Sequence, residues 1–105
     1  MPALNPNPTL ADFQRYVAEM MDERGFNKET LVEEALLLGE EVGELYKAIR
    51  KASHIHTDAT SKVGTIPEEL ADIFIYLCAI ANMTGIDLEE AFRAKEEINK
   101  ARKWA

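Results

Sequence analysis

The sequence predicts an all-α fold, a four-helix bundle assembled as a symmetric oligomer, and three observations carry that expectation. The first two predicted helices repeat apolar residues at alternating steps of three and four, the period of a single helix face. Residues that start or stop helices punctuate the chain at regular intervals, and no segment alternates as a half-buried strand does. The apolar residues of the second and third helices cover more circumference than one 105-residue bundle can bury, so a symmetric dimer or a dimer of dimers is expected to take up the remainder.

Residues 1–8, with three prolines and two asparagines, read as an irregular arm. Thr9-x-x-Asp12 caps a first helix with Leu10, Phe13, Val17 and Met20 on one face, and Gly25 ends it. A second helix is expected from about Lys28 to Ala52, its seam formed by Leu31, Ala35, Leu38, Val42, Leu45 and Ile49. The polar stretch 53–64 has no periodicity and reads as a loop. Thr65-Ile66-Pro67-Glu68 starts a third helix, with Thr as cap, Pro in the first turn and Glu at the third position; it runs to about Thr84, before Gly85. Asp87-x-x-Glu90 opens a fourth, to roughly Lys103. Residues 1–105 read as one domain without internal repeats.

Composition narrows the function. A net charge of −7 argues against nucleic-acid polymers and anionic membranes as partners, and an anionic ligand would need cations to bridge it to the protein. The lone Cys78 excludes an internal disulfide and fits a reducing cytoplasm. No secretory leader is evident, and the longest uncharged run, Ile73 to Ile86, is too short to span a bilayer.

Two carboxylate pairs, Glu41-x-x-Glu44 within Glu40-Glu41-Val42-Gly43-Glu44 and Glu69-x-x-Asp72, each occupy one face of a helix. Facing each other, they would supply four hard oxygen ligands for a divalent cation such as magnesium, with manganese as an alternative. On the helical wheel Glu34, Leu37, Glu41, Glu44 and Ala48 form a stripe about a quarter-turn from the apolar seam, and Glu40 lies further round. On the third helix Thr65, Glu69, Asp72 and Tyr76 share a stripe, and Glu69 and Asp72 are expected to enter the interior. Glu33, Glu34, Glu89, Glu90, Glu96 and Glu97 read as surface charges. For Glu69 the helix dipole is the alternative reason for an acid in a first turn.

Lys95, Asn99 and Arg102 fall on one face of the fourth helix with Leu88 and Phe92, an arrangement suited to phosphate, or else to complementing the helix dipole. His54 and His56 read as exposed loop residues, and Trp104 as packed on a neighbouring helix or subunit. Tyr76, one turn after Asp72, is a candidate either for ligand contact or for core packing with its hydroxyl bonded.

Taken in order, Glu40-Glu41-Val42-Gly43-Glu44, Glu69-Leu70-Ala71-Asp72, the Asp-Ile-Phe-Ile-Tyr-Leu run and Lys95-x-x-x-Asn99-x-x-Arg102 resemble the MazG-like, all-α nucleoside triphosphate pyrophosphohydrolases, over about residues 20–103. Where that family often has Trp before the second helix, Phe26 stands here. The resemblance implies magnesium-dependent hydrolysis between the α- and β-phosphates of a (deoxy)nucleoside triphosphate by a homodimer or homotetramer, often to remove unwanted nucleotides. It implies Glu41, Glu44, Glu69 and Asp72 as metal ligands and Glu40 or Glu44 as assisting base. Lys95, Asn99, Arg102 and Tyr76 are the implied substrate contacts. Two other readings compete: a di-iron carboxylate bundle, which lacks the Glu-x-x-His pairs it would need, and a catalytically silent helical module used for assembly or partner binding.

Overall fold

A computed structural model describes residues 1–55 and 62–102. Among them are four α-helices and no strand: α1 (Leu10–Arg24), α2 (Leu31–Ala52), α3 (Ile66–Met83) and α4 (Leu88–Ala101). His56, Lys103 and Trp104 lie outside the described residues, and His54 is exposed, as expected of a loop histidine.

Local chemistry sets the helix ends. Thr9 with Asp12, and Thr30 with Glu33, each form reciprocal capping boxes. Thr65 and Asp87 accept the N–H groups of Glu68 and Glu90. Gly25 adopts φ 74°, a left-handed conformation that costs glycine little, and its N–H closes α1. The Thr30 box starts α2 at Leu31, the first residue of the apolar pattern and three residues later than the expected Lys28.

Helix α3 is central, packed along α2 on one side and α1 on the other. Val17 and Met20 of α1 meet Cys78 and Ala79 of α3, flanked by Phe13, Phe74, Ile75 and Leu88. Phe13 and Phe74 pack edge to face, 5.3 Å between ring centroids. Cys78 is fully buried, and burial pushes its thiol pKa up. The irregular arm reaches back: Pro2 and Leu4 line a cavity with Phe13, Tyr16 and Phe74, and the N-terminal ammonium lies 3.8 Å from Glu23.

A buried amide bolts α1 to the α3–α4 turn. Gln14 Nε2 donates to Ile86 O at 2.8 Å and Asn82 Oδ1 at 3.2 Å; Gln14 Oε1 accepts from Leu88 N at 2.8 Å, and Asn82 Nδ2 donates to Gln14 O at 2.9 Å. Gln14→Leu should destabilise the fold by about 2–3 kcal/mol, since it leaves several buried polar groups unpaired. Urea denaturation checks this, and an unchanged midpoint would show that water replaces the bonds.

On α2 the sequence-based packing face needs correction. The apolar seam is not the buried face: Leu31, Ala35 and Ile49 are exposed, and Leu38, Val42 and Leu45 are only half-buried. The stripe Glu34, Leu37, Glu41, Glu44 and Ala48 is turned inward instead, with Glu34 and Ala48 buried. Helix periodicity does not choose the partner of a face, and the inward stripe brings Glu41 to Glu69 and Asp72 of α3.

Candidate active site

Three carboxylates converge where α2 crosses α3. One oxygen each from Glu41, Glu69 and Asp72 lies within 4.8 Å of the others. Glu69 and Asp72 are stacked one turn apart on α3, which is why both reach the same point. Glu69 is 7% exposed and its Oε2 has no hydrogen-bond partner. Contrary to the expectation of burial for both, Asp72 is exposed, its short side chain at the rim of the helix contact. Gly64 lies against Glu69, and a methyl group at that position would collide with Glu69 Oε1.

This clustering is costly without a cation. Burial foremost, then a hydrogen bond with Glu69 and the charges of Asp72, Glu69 and Glu44, push the Glu41 pKa from 4.5 up to about 7. An all-oxygen set with an unpartnered buried Oε2 fits a hard divalent cation. It has no histidine, which goes against the di-iron reading.

The titration has a definite sign. Between pH 4.5 and 7 the folded, metal-free chain holds a proton on Glu41 that the unfolded chain has lost, so stability falls as pH rises through that window. In chelator the denaturation midpoint should drop from pH 5 to pH 7.5, and Glu41→Gln should flatten the drop. Parallel curves for the two proteins would contradict the assignment.

The remaining expected residues divide. Glu44 stands outside the three-oxygen group; its Oε1 meets Lys47 Nζ at 3.4 Å, the opposite charge one turn on, although its charge still acts on Glu41. Glu40 is exposed. Tyr76 is brought in: burial, then the charges of Glu41, Glu34 and Asp72, raise its pKa and keep its hydroxyl a donor. With Asp72 it lines a cavity of about 370 Å³ whose other walls include Met20, Phe26, Leu37 and Ile75. The acidic group and a largely apolar cavity therefore share Asp72, with Tyr76 one turn further along the same wall.

The α4 residues are not brought there within one protomer. Lys95 and Asn99 line another cavity with Leu10, Phe74 and Leu77. Phe74 lies about 200° round α3 from Asp72, so that cavity is across the helix from the carboxylates. Arg102 is exposed at the end of α4. Sequence reasoning missed Glu34 and Gly64. Glu34, taken as a surface charge, is 1% exposed; its place on the Glu41 stripe was the available signal. Gly64 lies in the loop and carried none.

The chain is also similar to known proteins. Residues 26–103 match the model of the MazG nucleotide pyrophosphohydrolase domain. The chain is 33% identical over 103 residues to mouse dCTP pyrophosphatase 1, across 93% of this chain and 61% of that protein. It thus spans about three fifths of the length of the curated relative. Over 39 residues, 37% of each chain, it is 49% identical to the dATP/dGTP diphosphohydrolase of cyanophage S-2L. The crystal structure of iMazG from Vibrio DAT 722 aligns over 92% of this chain and 99% of that one, with a TM-score of 0.63 and 30% identity.

Proposed function

The chain belongs to the MazG nucleotide pyrophosphohydrolase family, and from that premise we propose that it hydrolyses (deoxy)nucleoside triphosphates to monophosphate and pyrophosphate, removing unwanted nucleotides from the cytoplasmic pool. The observation that carries this reading is the three-carboxylate group, whose Asp72 also lines a largely apolar cavity beside Tyr76. Relatives named for dCTP and for dATP and dGTP support the substrate class.

Glu41, Glu69 and Asp72 would hold magnesium, or manganese, with Glu44 as a further ligand once released from Lys47. Such a cation neutralises charge on phosphate oxygens. Water attacks the α-phosphorus, the bond from that phosphorus to the α–β bridging oxygen breaks, and pyrophosphate leaves with the bridging oxygen. Glu44 is better placed than exposed Glu40 to take the proton of the attacking water, because its charge already reaches the group. The Tyr76 hydroxyl, held protonated, donates toward the substrate, and the apolar walls exclude water from its base and sugar.

Assembly completes the reading. Val32, Leu36 and Tyr46 on α2 and Phe92 and Ile98 on α4 are all more than half exposed. The radius of gyration, 16.4 Å, exceeds the roughly 13 Å of a compact chain this long. A homodimer or homotetramer would cover these side chains and could present the α4 residues Lys95, Asn99 and Arg102 to a partner's carboxylates, where cations would neutralise the phosphate tail. Light scattering should find no monomer at micromolar concentration; a fully active monomer would refute this.

No single helix among the described residues is long and apolar enough to cross a membrane. The test of the reaction is product identity. A deoxynucleoside triphosphate in ¹⁸O-labelled water should yield monophosphate and pyrophosphate in equal amounts, with the label on the monophosphate. Diphosphate with inorganic phosphate would mean that another bond is cut, and no turnover with any nucleotide would favour the silent assembly module.

A further inference from the structure

Glu34 has a burial that the carboxylate group does not explain. It lies two turns before Glu41 on the inward stripe of α2 and is 1% exposed, yet it is not one of the three converging acids. Its Oε2 is buried without a hydrogen-bond partner, and no ion pair joins it to a Lys or Arg among the described residues. A carboxyl so placed is destabilising unless something donates to it. Glu34 lines the same 370 Å³ cavity as Leu37, Ile75, Asp72 and Tyr76; Arg24 and Glu29 line it too, but Arg24 forms no ion pair with Glu34. A ligand whose phosphates meet Asp72 therefore has a largely apolar slot beside it, with the Glu34 side chain in its wall.

We propose that Glu34 is a specificity-determining residue that reads the nucleobase: the exocyclic amino group of cytosine, adenine or guanine donates a hydrogen bond to the Glu34 carboxylate, so nucleotides with these bases are taken in preference to those of uracil and thymine. This rests on the pyrophosphohydrolase reading for the position of the phosphates. The amino N–H satisfies an oxygen of the ionised carboxylate, which is acceptor-only. Uracil and thymine place carbonyl oxygens on both sides of their one ring N–H. An ionised carboxylate that takes that proton therefore brings its second oxygen against a carbonyl, and a polar pair is left unsatisfied.

The test pairs binding with turnover, using the full chain with magnesium. Non-hydrolysable α,β-imido analogues of dCTP, dATP, dGTP, dUTP and dTTP are titrated by calorimetry into the wild type, Glu34→Leu and Glu34→Gln, and the hydrolysable nucleotides are assayed in parallel. Thermal unfolding checks each fold; Glu34→Leu should be at least as stable as the wild type, because it removes an unpaired buried acid. The wild type should bind its best amino-bearing analogue roughly ten- to hundredfold more tightly than dUTP's. Glu34→Leu should lose most of that ratio by weakening the amino-bearing analogues while leaving the dUTP analogue unchanged. Glu34→Gln, which keeps the shape and one acceptor oxygen, should retain part of it. Preference in binding without turnover would uphold the role of Glu34 and overturn the hydrolase reading. Turnover with no base preference, or a preference unchanged in Glu34→Leu, would overturn the proposal and leave the hydrolase reading standing. Failure of every analogue to bind would overturn both.

Discussion

Glu69→Gln should remove nearly all nucleotide turnover, by roughly a hundredfold or more, while the metal-free protein becomes no less stable. Both halves follow from one geometry. Glu69 contributes a buried oxygen without a partner to a group of three carboxylates, so its charge destabilises the empty fold and becomes favourable only when a cation is present. Glu41→Gln and Asp72→Asn should behave alike. Glu41→Gln should raise metal-free stability above pH 7, where it removes a charge that burial and its neighbours oppose. Glu44→Gln should cost less magnesium affinity, because its carboxylate is engaged with Lys47 rather than with the three converging oxygens. If Glu44→Gln loses turnover with its magnesium affinity intact, Glu44 is the base; if Glu40→Gln does so instead, that role moves to Glu40. Magnesium titration by calorimetry alongside steady-state kinetics makes the comparison. Near-normal turnover in any two of Glu41→Gln, Glu69→Gln and Asp72→Asn at limiting magnesium would sink the metal-site assignment.

The second large effect is expected from a residue with no functional group. At Gly64 an added methyl meets the end of the Glu69 side chain rather than backbone, so Gly64→Ala should leave the fold intact and displace the carboxylate. The Gly64 backbone does not need the left-handed region, unlike Gly25 and Gly85, so alanine there carries no backbone strain and slightly restricts the unfolded chain. Magnesium affinity should fall roughly ten- to hundredfold, the range seen when the support of a metal ligand is disturbed. Thermal stability in chelator should be unchanged or slightly higher. Equal losses of stability and magnesium affinity would mean that the loop, not the carboxylate, has moved.

Much of this protein was legible before any coordinates. The four helices announce themselves through local chemistry: Thr9, Thr65 and Asp87 as caps, Gly25 and Gly85 as stops, and apolar residues at three- and four-residue steps. These are short-range effects that act within a turn or two of the chain. The Glu41 and Glu69-x-x-Asp72 elements were legible for the same reason, since the spacing alone stacks side chains on one face. Tertiary structure decided which faces meet. The wheel of α2 offered an apolar seam and, a quarter-turn away, an acidic stripe, and hydrophobicity alone favours burying the seam against α3. The protomer buries Glu34 and Ala48 instead and leaves Leu31, Ala35 and Ile49 open. Helix periodicity specifies the pattern of a face but not its partner, and a face that looks like core can be reserved for another chain. Long-range placement likewise separated Lys95 and Asn99 from the carboxylates, set Gly64 against Glu69, and turned Glu34 from an apparent surface charge into a buried carboxyl with one oxygen lacking a partner.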